Sequence, residues 1–128
     1  STGLADAFGR WVVGHVPGAG TVGLTIMFTA VAILMSEAAS NTAAATVVVP
    51  TAIAVATAAG VSPLEPALGA TFGASMGFMM PISTPPNAIV YSSGHVPIGA
   101  MMRYGIVLDV VGFVIIVAAV LTFGSVVR

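Results

Sequence analysis

Residues 35–50 read MSEAASNTAAATVVVP, and this stretch decides the fold. Here a nearly uncharged chain interrupts an apolar run with Glu37, Ser40, Asn41 and Thr42, then resumes it. The flanking residues 21–35 (TVGLTIMFTAVAILM) and 43–59 (AAATVVVPTAIAVATAA) carry no charge. Each arm of about 15 to 17 residues makes roughly 23 to 26 Å of helix, short of the ~20 residues of a full span. Two short arms with a polar tip predict a re-entrant hairpin, because polar backbone within a bilayer is tolerated only where it lines a cavity or is buried in protein. The tip is therefore a candidate site.

Composition agrees with a membrane setting: 58% hydrophobic, 5% charged, mean hydropathy +1.11 and no lysine. A soluble domain carries about 25% charge. A net charge of −1 excludes a basic nucleic-acid footprint. Arg10, Arg103 and Arg128 are too sparse to fix an orientation by the positive-inside rule. Without cysteine there are no disulfides, thiolate metal sites or cysteine nucleophiles. Residues 1–20 hold Asp6, Arg10 and glycine-proline breaks, so no signal peptide is expected there. The expectation is a piece of a longer membrane protein, since polytopic carriers need more helices than 128 residues supply.

Four segments follow along the chain. Leu4, Phe8, Trp11, Val12 and His15 share one helical side, with Asp6, Gly9 and Arg10 on the other, which predicts an interfacial amphipathic helix over 1–16. Trp11 suits the headgroup level, and His15 reads as an interfacial or capping residue. The hairpin occupies 17–62, and Gly60-Val61-Ser62-Pro63 punctuates its end. Next, over 63–94, an apolar helix from about Leu64 to Met80 meets PISTPPNAIVYSSG at 81–94. Pro81, Pro85 and Pro86 cannot continue a hydrogen-bonded helix, and Ser83, Thr84 and Asn87 offer replacement polar groups. This segment reads as one span unwound in its middle. Gly69, Gly73 and Gly77, four apart, form a small-residue stripe for close helix packing. Finally, 95–128 contains an apolar stretch, about Met101 to Val127, long enough to cross fully.

Helix ends supply the chemistry. At the hairpin tip the carbonyl end of one arm, which favours a cation, meets the N–H end of the next, which favours an anion. Ser, Asn and Thr are preferred N-caps. The loop at 83–87 repeats the arrangement with freed carbonyls and the hydroxyls of Ser83 and Thr84. Two broken elements of that polarity fit a hard cation beside an anion near the membrane midplane, as in transporters built from inverted repeats.

The SNT triplet at 40–42 and the TPPNA run at 84–88, in this order and hydropathy context, resemble the second-repeat hairpin and loop of the divalent anion/sodium symporters. That family carries dicarboxylates, citrate or sulfate. The resemblance covers nearly the whole chain. It implies an all-α membrane protein: a re-entrant helical hairpin, a discontinuous transmembrane helix and a terminal transmembrane helix, one half of an inverted-repeat transporter. It implies that Ser40, Asn41 and Thr42 hold a substrate carboxylate, with Thr84 and Pro85 also facing the substrate. Sodium would be held by Ser36, where the family more usually has Thr, by the Asn41 side chain, and by carbonyls of Ala39, Ser83 and Pro85. Family members are homodimers whose transport domain moves in an elevator-like way across the lipid bilayer. Multi-pass insertion in a bacterial inner membrane is the matching location. The family has two SNT tips, whereas this chain has one, so the N-terminal half of the same transporter is the expected partner.

Two acids in apolar surroundings remain. Glu37 reads as a residue that holds the hairpin or biases the field toward cations, with a direct ligand role as the alternative. Asp109, inside the last helix, must be paired, protonated or near water, because a charge there costs at least ~2.5 to 3.5 kcal/mol on insertion scales. Arg103, six positions away, is on another helical face. Met35, Met79 and Met80 read as adaptable packing beside the breaks. Neither histidine flanks an acid at a useful spacing and no Ser or Thr has a nearby base, which argues against an enzyme. The expected function is sodium-coupled transport of di- or tricarboxylates. The alternatives are a carboxylate exchanger, a sulfate- or arsenite-type carrier of the same architecture, or a non-transporting membrane subunit. Of the loop side chains, Thr84 is expected to matter through its hydroxyl and Ser83 only through its carbonyl.

Overall fold

In the computed structural model the described residues are 20–127 together with Ala7, Trp11, Gly14 and His15. Leu4, Asp6, Phe8, Gly9, Arg10 and Val12, on which the amphipathic N-terminal helix rests, lie outside the described residues. The four isolated residues are helical, and His15 stacks on Trp11 with ring centroids 4.9 Å apart while its Nδ1 lies 2.9 Å from the Trp11 carbonyl.

Five helices and no strand occur within 20–127: α1 (Thr21–Ala38), α2 (Asn41–Ala58), α3 (Leu64–Gly73), α4 (Pro85–Ser92) and α5 (Ile98–Val127). The polar tip divides α1 from α2. Ala39 closes α1, its N–H donating to the Met35 carbonyl at 3.0 Å, and Ser40 starts α2 from an extended backbone. Ser40 Oγ accepts from the Ala43 N–H at 3.2 Å, which satisfies one of the orphan donors of a helix start. The arms are 18 residues each, somewhat longer than the periodicity predicted. With α5 they are the three helices long and apolar enough to cross a membrane.

Buried residues of α1 run Leu24, Thr25, Phe28, Thr29, Ala32, Ile33, Ser36 and Glu37, one stripe of helical period. Thr25 and Thr29 enter this face because each hydroxyl folds back on the carbonyl four residues earlier, at 2.7 Å in both cases. Against the stripe pack Ala44, Val48, Ala52, Val55 and Ala56 of α2, with Ala70 and Ala74 of the third segment. So many alanines let backbones approach closely, as bilayer helices do in the absence of a strong hydrophobic drive. The pairing of α1 with α3 is the most extensive, and glycines permit it. A Cβ on Gly73 would stand 2.7 Å from the Thr29 carbonyl oxygen, and one on Gly69 would collide with Thr29 Oγ1. Gly73→Ala is accordingly expected to cost about 1 to 3 kcal/mol by overpacking, read as a lowered melting temperature of the full-length protein. Gly99→Ala, where nothing lies within 4 Å, is the matched control and should cost nothing.

One boundary differs from expectation. The helix begun at Leu64 stops at Gly73 and not near Met80, so residues 74–84 are unwound well before Pro81. Proline is therefore not what ends it. The backbone donors of the unwound stretch are taken by a side chain of α1 instead, as described below. The glycine stripe is split by the same event: Gly69 and Gly73 pack on α1, while Gly77 lies beyond the helix. α5 is 30 residues, or about 45 Å, and only a narrow stripe including Gly105, Asp109, Val120 and Gly124 is buried.

Candidate functional site

The end of α1, the start of α2 and the unwound 74–84 stretch converge on a cluster of oxygens. Ser36 Oγ lies 2.6 Å from Asn41 Oδ1 and 2.8 Å from the Ala74 carbonyl. One hydroxyl proton cannot serve both acceptors at once. The Asn41 amide nitrogen reaches toward the Ser75 carbonyl at 3.4 Å. Ser36 Oγ, Asn41 Oδ1 and the Ala74 and Ser75 carbonyls thus hold more lone pairs than local donors, which is the chemistry a hard cation seeks. Gly77 leaves this space open, since a Cβ there would meet Asn41 Oδ1 at 2.8 Å, Ser36 Oγ at 3.1 Å and Ser83 Cβ at 3.1 Å.

Two helix starts supply the complementary polarity. Ser40 (φ −151, ψ 158) and Thr84 (φ −142, ψ 151) cap α2 and α4 from nearly the same extended backbone. Thr84 Oγ1 accepts from the Asn87 N–H at 3.4 Å, a long counterpart of the Ser40 cap. Each cap uses a lone pair and leaves the hydroxyl proton without an acceptor among the described residues. Both hydroxyls can then donate to an anion, together with the Asn41 and Thr42 N–H groups that open α2, whereas α4 opens on Pro85 and Pro86 and offers no such donors.

Glu37 organises the break. Its Oε1 accepts from the N–H groups of Phe78 (2.6 Å) and Met79 (2.9 Å), and its Oε2 from the Met80 N–H (3.0 Å) and the Ser83 hydroxyl (2.8 Å). The carbonyl side is held by Asn87, whose amide donates to Gly77 at 2.8 Å and Met80 at 3.0 Å. Between them these two side chains replace the backbone bonds that the unwound stretch gives up. Glu37 thus fixes the unwound stretch against the end of α1. Ser83 also needs revision: its hydroxyl is buried and committed to Glu37, so Ser83→Ala is not the mild change that its carbonyl role implied.

Of the residues singled out from the sequence, Ser36, Asn41 and Ser83 surround Gly77. Ala39 and Ser40 form the link between the arms. Thr42 and Pro85 are exposed in the first turns of α2 and α4, and no hydrogen bond among the described residues joins Thr42, Thr84 or Pro85 to the Ser36–Asn41 cluster. Sequence reasoning missed Ala74, Ser75 and Gly77, because it extended the helix through them. Asn87 was read only as a polar replacement, and its position three residues after the Thr84 cap is the signal that could have placed it.

A family model described as the sodium:sulfate symporter transmembrane region matches residues 1–128. The chain belongs to the divalent anion/sodium symporter family. Within this family it is 34% identical over 101 residues, 79% of its length, to a Na(+)/citrate cotransporter of Mus musculus. It is 37% identical over 93 residues, 73% of its length, to sodium-dependent high-affinity dicarboxylate transporter 2 of Caenorhabditis elegans. To an uncharacterized transporter of Haemophilus influenzae it is 41% identical over 91 residues, 71% of its length. The matched regions are 18%, 17% and 20% of those symporter-family proteins, so the chain spans about a fifth of their length.

Proposed function

We propose that this chain is the second-repeat part of the transport domain of a sodium-coupled carrier for di- or tricarboxylates. The observation that carries the reading is the oxygen cluster of Ser36, Asn41, Ala74 and Ser75 directly behind the Ser40 cap. Sodium and a carboxylate are both cargo. The cluster would take the cation, with Ala39, Ser83 and Pro85 adding carbonyls. Ser40, Asn41, Thr42, Thr84 and Pro85 would take the anion. Asn41 serves both, so binding of each charge stabilises the other at short range. The names of the mouse and nematode relatives favour citrate or a dicarboxylate over sulfate or arsenite. Exchange of carboxylates through the same site is the second reading, and a non-transporting subunit the reading from another class.

In this proposal α1 and α2 are a re-entrant hairpin, the N-terminal half of the same protein completes the pocket, and homodimers move the domain by an elevator-like step. The location in this reading is an integral membrane position, with a bacterial inner membrane as the proposed one. The exposed apolar side of α5 then meets lipid or the rest of the carrier. Uptake of labelled succinate, citrate and sulfate by the full-length protein, with and without sodium, tests the function. Transport of none of them would remove it, and equal uptake without sodium would favour exchange. The hairpin has its own test: cysteines at Val22 and Ala58 should be labelled from one side of the membrane, with Thr42→Cys protected by substrate. Free labelling of Thr42→Cys from the opposite side would show two full crossings.

Thr84→Val deletes the hydroxyl, so a lost bond to a carboxylate should weaken substrate binding by roughly 1.5 to 3 kcal/mol, with only a small fall in melting temperature from the lost, long cap to Asn87. Ser83→Ala should do the reverse, lowering the melting temperature through Glu37. A small fall in melting with no loss of substrate binding would show that residue 84 is only a helix cap.

A further inference from the structure

α5 carries one acid within its apolar length, Asp109, which is 5% exposed and lies on the buried stripe one turn after Gly105. Both of its carboxyl oxygens are sealed from solvent, and neither has a hydrogen-bond partner among the described residues. The cavity beside them is walled by carbon from Ala30, Ile33, Leu34, Ile106 and Phe113, with one polar side chain, Glu37. Glu37 and Asp109 line this same cavity, so the two carboxyl groups share one apolar wall.

Two facing carboxylates could form no bond at all, since an ionised carboxyl group only accepts. Like charges at that range in an apolar wall cannot both persist. A metal ion between them would find no further oxygen ligands, because the remaining walls are hydrocarbon. Glu37 is already the acceptor for three backbone N–H groups and the Ser83 hydroxyl, which is the bonding of a carboxylate. The proton must then sit on its neighbour. Among the described residues the other charged groups are remote: Arg103 is exposed on another face of α5, and Glu65 packs at Gly124, fifteen residues along the helix from Asp109. No titratable residue of the unwound stretch or of α4 lines this cavity.

We propose that Asp109 is a proton-binding site, a carboxylic acid that donates to Glu37 and so ties the last helix to the residue that holds the unwound stretch. A buried acid kept neutral in order to donate is a known use of such surroundings. Loss of the proton sets a second charge against Glu37 and drives α5 from the break. Raising the pH should therefore loosen the structure behind the candidate site, whatever anion the protein carries, and the inference does not depend on the transport reading.

The test uses the full-length protein, by infrared spectroscopy of the protonated-carboxyl band and by melting as a function of pH. Wild type should show the band at neutral pH, and Asp109→Asn, which keeps a donor toward Glu37, should remove one carboxyl equivalent of it. Wild type should lose melting temperature as the pH rises and the band disappears. Asp109→Asn should match wild type near neutrality and lack that alkaline fall. Asp109→Ser, a second variant that retains a hydroxyl donor, should give the same spectral difference. No band in wild type at neutral pH, or a band and alkaline fall unchanged by either substitution, overturns the proposal.

Discussion

Replacing Asn41 by alanine is expected to abolish the proposed sodium-coupled uptake by the full-length protein while leaving its amount in the membrane and its melting temperature near wild type. Folding should survive for a local reason. Ser36 loses Asn41 Oδ1 as a partner but keeps the Ala74 carbonyl at 2.8 Å, so no buried hydroxyl is orphaned. Ser40 still caps α2 through the Ala43 N–H. Function should not survive, because the lost amide is shared by the two proposed cargo sites. A hydrogen bond to a charged group contributes about 1.5 to 3 kcal/mol, which is about 10- to 10²-fold in affinity for the carboxylate, and the cation loses an oxygen ligand besides. Asn41→Asp separates the two halves of the effect: the added charge should favour the cation and repel the carboxylate, leaving sodium binding without substrate transport. Wild-type uptake in Asn41→Ala would end the assignment of this cluster.

The break between α1 and α2 was legible because its determinants are local. A serine followed by Asn-Thr-Ala between two uncharged arms is both an interruption of hydropathy and a helix start, and Ser40 fulfils the second by bonding three residues ahead. The same is true of Thr84, whose cap lies within the TPPNA run. The extent of the break was not legible, because its cause is distant. Glu37 meets Phe78, Met79 and Met80 across 41 to 43 positions, and no periodicity in residues 64–80 announces that their N–H groups are taken elsewhere. Reading proline as the breaker placed the boundary at Pro81, whereas the helix ends at Gly73. Asp109 shows the same limit. Its neighbours along α5 offered Arg103 as the nearest charge, while the group that faces it belongs to α1.

Glu37→Ala should be the most destabilising single substitution in the chain, and the damage should centre on residues 74–84. Four donors converge on this carboxylate, three of them backbone N–H groups that the unwound chain cannot pair internally. A donor left unsatisfied in a buried setting costs about 1 to 3 kcal/mol. Phe78 is 39% exposed, so water can reach part of the stretch and the lower end of that range applies. Four groups at ~1 kcal/mol each give roughly 4 kcal/mol, a large fraction of the stability of an ordinary domain. The alternative open to the chain is to rewind α3 past Gly73, recovering backbone bonds but carrying the Ala74 and Ser75 carbonyls away from Ser36 and Asn41. Stability loss and loss of the oxygen cluster therefore come together. Melting of the full-length protein should fall steeply, and hydrogen exchange at Phe78, Met79 and Met80 should rise beyond that of α1 and α2. Glu37→Gln, which keeps one acceptor oxygen but turns an N–H₂ group toward the other donors, should be intermediate. Unchanged melting and unchanged exchange at those three amides in Glu37→Ala would mean that the break is held by its own prolines, and that Glu37 serves the site by charge alone.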